Sequence, residues 1–241
     1  MSERTTQTSP GQLVQVFDML SQVYGIPKNV PDFDPLGGLI GTILSQHTSD
    51  INSGRAYQQL TQAFPSWEAV RDAPTYIIAE AIKCGGLANI KSRRIQDVLH
   101  TLTELLEASA YQGTLAEYLL QELRARTPEE GWRYLRTYPG VGPKTAACVL
   151  MFNMNEAIMA IDTHVHRVSR RLGLIGPKVS ADKAHDVFLK IVPPAWAYPL
   201  HVQLIQHGRR VCHAQRPACT RCPLMSVCTY ANGNNDLPTE D

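Results

Sequence analysis

The sequence predicts an all-α fold. Apolar residues recur at three- and four-residue spacing along most of the chain, sustained two-residue alternation is absent, and helix-start signals punctuate the periodic stretches. At 241 residues, 44% of them hydrophobic, the chain can bury one large core or two smaller ones. Its net charge of +1 gives no sign of a nucleic-acid binder, so such a function would have to rest on local clusters. No apolar run reaches the roughly 18 to 20 residues of a membrane helix, and the N-terminal MSERTTQTSP lacks the apolar core of a signal peptide. The expected location is the cytoplasm or nucleoid, with no membrane contact.

Residues 1 to 10 are polar and expected to be disordered. Leu13, Val16, Phe17, Leu20, Val23 and Tyr24 then predict a helix closed by Gly25. After Pro27, Pro31 and Pro35, a second helix carries Leu36, Leu39, Ile40, Ile43 and Leu44 and runs into Ser45-Gln46-His47-Thr48-Ser49-Asp50. Further helices are expected at about 52–64, at 67–73 behind the cap Ser66, at 76–84, and at 91–108 with Ile95, Val98, Leu99 and Leu102 on one face. Another follows at 115–126, and Thr127-Pro128-Glu129-Glu130 reads as a capping box with proline at the first helical position. Ser180 can cap a helix through Ile191, Pro193 and Pro194 break the chain, and a last helix spans Leu200 to Val211. The tail 231–241 is polar, acidic and expected to be mobile.

Chemistry concentrates between Tyr138 and Arg167. Tyr138-Pro139-Gly140-Val141-Gly142 is a tight turn, and Pro143 suits the first position of a helix because its missing N–H is no loss there. Thr145 to Phe152 are apolar or small on every side, so this helix should be buried except for its first turn. That turn offers the Gly140 and Gly142 amides at the positive end of the helix dipole, a ready phosphate site. Lys144 sits in the same turn. The dipole and partial burial both disfavour an ammonium there, and a neutral amine is a nucleophile. Asp162 follows after an apolar run, in Ile161-Asp162-Thr163-His164. Two basic clusters, His164 to Arg171 and His207 to Arg221, are suited to phosphates, though each alone also fits a solvated helix face.

Cys212, Cys219, Cys222 and Cys228 give the spacing C-x6-C-x2-C-x5-C. Four thiolates in so short a segment can surround one metal centre. Zinc is the alternative, but it usually pairs two short cysteine knuckles and only one is present. Cys84 and Cys148 read as small buried hydrophobes.

Taken together, Tyr-Pro-Gly-Val-Gly-Pro-Lys-Thr-Ala, Ile-Asp-Thr-His-Val and the four-cysteine spacing resemble the endonuclease III family of DNA glycosylases over roughly residues 30 to 230. The resemblance implies a six-helix domain at 28–156 with a helix-hairpin-helix at about 134–150. It implies a second domain from 1–27 and 157–230, a DNA-binding cleft between the two, and a 4Fe-4S cluster on the four cysteines. It implies a monomeric enzyme of base excision repair acting on double-stranded DNA with damaged bases or abasic sites. Lys144 would attack the sugar, Asp162 would assist, and β-elimination would cut the strand, with oxidised pyrimidines the default substrate. DNA contacts are expected from Gln46 or His47 and from Leu87 as gap fillers, and from Lys91, Gly140, Gly142, Thr145, His164 and Arg216. The family pattern Ser-x-Gln-x-Thr-Asp is altered here to Ser45-Gln46-His47-Thr48-Ser49-Asp50, which leaves open whether Gln46 or His47 fills the gap. Two other readings remain. A mismatch or adenine glycosylase without the lyase step is disfavoured by Lys144 and by the short C-terminal region. A non-catalytic iron–sulfur DNA-binding module would make Asp162 dispensable.

Overall fold

A computed structural model describes residues 10–233. The disorder expected for 1–10 and the mobility expected for 231–241 fall almost wholly outside the described residues. Every helix and turn of regular structure among those residues is helical, and none of the helices is long and apolar enough to cross a membrane. The chain divides into two compact units, one of residues 30–156 and one of residues 10–29 together with 157–233.

The unit of 30–156 is built on α2 (Pro35–Ser45), whose Leu36, Leu39, Ile40, Ile43 and Leu44 are fully buried against α3 (Asp50–Ala63), α6 (Ala88–Glu107), α7 (Leu115–Arg124) and α9 (Pro143–Cys148). α4 (Trp67–Asp72), α5 (Thr75–Ala81) and α8 (Pro128–Leu135) complete it. Side-chain caps start most of these helices: Asp34, Ser49 and Ser66 accept from backbone amides, and Thr114 and Thr127 form full capping boxes with Glu117 and Glu130. α6 begins three residues before the expected start. Its cap is Leu87, in the left-handed region at φ 50°, which carries no side-chain signal to read. α9 is short and widens into a π-helical turn at Val149–Asn153, which leaves Phe152 36% exposed where burial was expected.

The other unit contains α1 (Pro10–Tyr24), closed by Gly25 at φ 72°, with α10 (Thr163–Leu172), α11 (Ala181–Ile191) and α12 (Ala197–Arg210). Val16, Leu20, Val165, Leu172, Phe188, Leu200, Leu204 and Leu224 form its core, and Phe17 stacks on Trp196 with ring centroids 4.1 Å apart. α10 was not anticipated from periodicity. Its apolar face is carried by Val165, Val168 and Leu172 alone, interleaved with His and Arg. Ser180 caps α11 as expected, and α12 starts three residues before Leu200.

Candidate active site

α8 and α9 with the intervening turn make a helix-hairpin-helix. The turn is fixed from both sides: Tyr138 is buried, donates to the Tyr134 hydroxyl at 2.9 Å and accepts the Val141 amide on its carbonyl. Trp132 Nε1 donates to the Pro143 carbonyl at 2.9 Å, tying α8 to the first residue of α9. Gly140 sits at φ 71°, which a side chain would strain, and Gly142 caps α9 in extended conformation. Lys144, second residue of α9, is half-buried, and among the described residues its ammonium has no hydrogen-bond or ion-pair partner. Thr145 beside it is buried, and its hydroxyl accepts from Gln46 Nε2 at 3.5 Å.

Lys91 departs from the expected DNA contact. It is 1% exposed, and its ammonium donates to the Leu44 carbonyl at 2.7 Å and the Gly85 carbonyl at 2.8 Å. It ties the end of α2 to the loop before α6, and burial lowers its pKa from the usual 10.5. That loop carries Leu87, 51% exposed, and the exit of α2 carries exposed His47 at φ 54°. Five non-glycine residues among those described have positive φ, and three of them, His47, Leu87 and Arg216, are residues the sequence singles out as DNA contacts. Such strain persists where the surroundings enforce it, and it concentrates at functional sites.

Asp162 is the N-cap of α10, its Oδ1 accepting the Val165 amide at 2.7 Å. The preceding backbone is held by two buried histidines: His201 Nδ1 bonds the Ala160 carbonyl at 2.8 Å, and the Ile161 amide donates to His185 Nε2 at 3.2 Å. The carboxylate is therefore aimed before any ligand arrives, and among the described residues Oδ2 has no partner. His164 lies within the same unit, its Nδ1 bonded to Arg167 Nη2 at 3.0 Å, and burial lowers its pKa while Asp162 opposes the shift.

The basic residues of α10 are mostly committed, which corrects their reading as a phosphate cluster. Arg167 is buried and donates to the Gly208 and Cys212 carbonyls. One turn on, Arg171 donates to the carbonyls of His213 and Ala214, while its own carbonyl receives the Tyr230 amide and the Thr229 hydroxyl. These bonds fasten both flanks of the cysteine segment. Arg216 within that segment is exposed.

Cys212, Cys219, Cys222 and Cys228 line one small cavity of about 20 Å³. None is in a disulfide, and no three His, Cys, Asp or Glu side chains among the described residues are spaced to hold a single metal ion. Arg171 Nη1 donates to Cys212 Sγ at 3.4 Å, and His207 Nε2 lies 3.5 Å from Cys222 Sγ. Burial, reinforced by the neighbouring cysteines, pushes the Cys222 thiol up to about 11. Thiols in such a lining deprotonate readily only with a metal to bind them, and four cysteines on one cavity are a donor set suited to thiolate ligation. Of the other cysteines, Cys148 is buried as expected, whereas Cys84 is half-buried and donates to Gln59 Oε1.

These features define a helical protein with a hairpin-mounted lysine, a capped aspartate and a four-cysteine pocket. The chain belongs to the HhH-GPD superfamily of base excision DNA repair proteins, whose family model matches residues 40–194. It is 30% identical over 204 residues to endonuclease III of Thermotoga maritima, covering 85% of this chain and 87% of that protein. It is 34% identical over 174 residues to an Arabidopsis thaliana protein named "Putative DNA glycosylase", covering 72% of this chain and spanning 56% of the Arabidopsis protein's length. In fold it is similar to the solved structure of a trapped endonuclease III–DNA covalent intermediate, with a TM-score of 0.74, 24% identity, and coverage of 94% of this chain and 98% of that one.

Proposed function

We propose that the chain is a bifunctional DNA glycosylase and abasic-site lyase acting on oxidised pyrimidines in duplex DNA. The observation that carries this reading is Lys144, half-exposed and without a hydrogen-bond or ion-pair partner among the described residues, in the first turn behind a hairpin that holds Gly140 at φ 71°, in a chain of this repair superfamily. Extruding the target nucleotide costs a few kcal/mol and needs a filler for the gap, a role suited to exposed Leu87 and the Gln46–His47 loop. The Lys144 amine attacks C1′ through its lone pair and the glycosidic bond breaks, the bond's electron pair leaving with the base, which takes up a proton. The amine loses its proton and the sugar ring opens to a Schiff base. Loss of a C2′ proton then expels the 3′ phosphate with its electron pair, and water releases the enzyme. The Asp162 carboxylate stabilises positive charge developing on the sugar and assists deprotonation of the amine. The Gly140 and Gly142 amides, with Arg216, hold backbone phosphates.

Cys212, Cys219, Cys222 and Cys228 would hold a 4Fe-4S cluster in a structural role, keeping the segment that bears Arg216 folded. The deciding experiment incubates the protein with thymine-glycol, mismatch, abasic and undamaged duplexes and adds borohydride. Base release from thymine glycol with a trapped adduct is the expected result. Base release without any adduct would instead indicate a monofunctional glycosylase, and binding without release a non-catalytic module. A visible iron–sulfur absorption band, or stoichiometric zinc in its place, identifies the metal.

A further inference from the structure

The loop leaving α2 carries two neighbouring side chains in opposite situations. Gln46 is held at both ends of its amide: Arg94 Nη1 donates to Oε1 at 2.7 Å, and Nε2 donates to Thr145 Oγ1 at 3.5 Å. His47, the next residue, is exposed, sits at φ 54°, and has no hydrogen-bond partner among the described residues. Arg94 reaches Gln46 from α6, and on the way its stem passes the hairpin glycine. A Cβ built at Gly140 would lie 3.4 Å from Arg94 Cδ and 3.5 Å from Nε. One half-buried arginine side chain thus runs beside the hairpin turn and bonds the exit of α2, and through Gln46 it reaches the residue beside Lys144.

We infer that Arg94 is a positioning residue: it holds Gln46 against the hairpin so that His47 is the side chain the loop offers to the duplex, and this division sets the dependence on the opposing base. The inference rests on reading the chain as a DNA glycosylase. The Gln46 amide is held on its oxygen by the guanidinium at 2.7 Å and on its nitrogen by Thr145, and swinging it out into the duplex would break a charge-assisted hydrogen bond. His47 gives up no such bond on reaching into DNA. Its left-handed backbone is the local conformation that turns the chain from α2 towards Ser49, the cap of α3.

The test measures single-turnover base release from thymine-glycol duplexes with adenine or guanine opposite, and fluorescence of 2-aminopurine placed opposite the lesion, which reports its unstacking. Wild type is compared with Arg94→Met, Arg94→Lys, Gln46→Ala and His47→Ala. Arg94→Met keeps the stem beside Gly140 and should change the adenine-to-guanine rate ratio by about tenfold, the value of one charged hydrogen bond. Arg94→Lys, which retains a donor, should return most of that ratio, a rescue that loss of folding alone would not show. His47→Ala should abolish the 2-aminopurine signal, and Gln46→Ala should retain most of it. An Arg94→Met ratio within twofold of wild type, or loss of the signal in Gln46→Ala but not in His47→Ala, overturns the inference. Borohydride trapping of wild type on abasic DNA runs alongside, so absence of trapping marks failure of the glycosylase/lyase reading, separately from failure of the role given to Arg94.

Discussion

Two helices of the 30–156 unit carry a lysine in or near their first turn, and the two lysines have opposite fates. Lys91, at the start of α6, is fully buried with two carbonyl partners. Lys144, at the start of α9, is half-exposed with none among the described residues. The first ammonium contributes to the fold; the second has no partner among the described residues and is the one the proposed mechanism uses. Arg171 and Arg216 repeat the contrast in the other unit, one clamped to carbonyls and one in solvent. Position near a helix start does not distinguish the two kinds of cation, whereas partners do.

The sharpest way to break this contrast is to exchange the consequences of losing each amine. Lys144→Gln should lower base release by at least roughly 10⁴-fold and remove trapping, while its thermal midpoint stays close to wild type; persistent trapping would move the nucleophile elsewhere. Lys91→Met should do the reverse. It leaves the Leu44 and Gly85 carbonyls unsatisfied and should cost about 2 to 4 kcal/mol in urea unfolding, with residual activity tracking the folded fraction. A smaller effect is expected at Arg216→Ala, which should weaken DNA binding severalfold and reduce the salt slope by about one, without change in stability. The smallest concerns pH. Burial lowers the folded pKa of Lys91 below the unfolded value of 10.5, so the unfolded chain binds more protons in the window just under 10.5. Stability should therefore rise slightly with pH there in wild type relative to Lys91→Met, and equal slopes for the two proteins would show that the carbonyls offset the burial.

Much of this was legible in the residues. Ser66, Thr127 and Ser180 cap the helices their side chains announce, because a cap is a local contact between residues three apart. The Pro-Gly-Val-Gly-Pro turn likewise specifies its own hairpin. Lys91 was misread because its partners lie on Leu44 and Gly85, contacts made by carbonyls that no side-chain pattern reveals. Arg94 passed unnoticed for the same reason, as its partner Gln46 is 48 residues away. Asp162 had one readable signal that went unused: Val165, Val168 and Leu172 follow it at helical spacing and Gly173 ends the run, which marks an N-cap. Arg167 and Arg171 looked like surface charge because guanidinium-to-carbonyl clamps depend on a segment some forty residues on.

One ten-residue helix, α10, begins at the carboxylate of Asp162 and grips the cysteine segment near its far end through Arg167 and Arg171. A strut of that kind, about 15 Å long, makes the two ends mechanically interdependent. Oxidative injury to the thiols would loosen the carbonyls that brace its last turns and shift the carboxylate at its first, so that on the proposed mechanism activity would fall before the fold did.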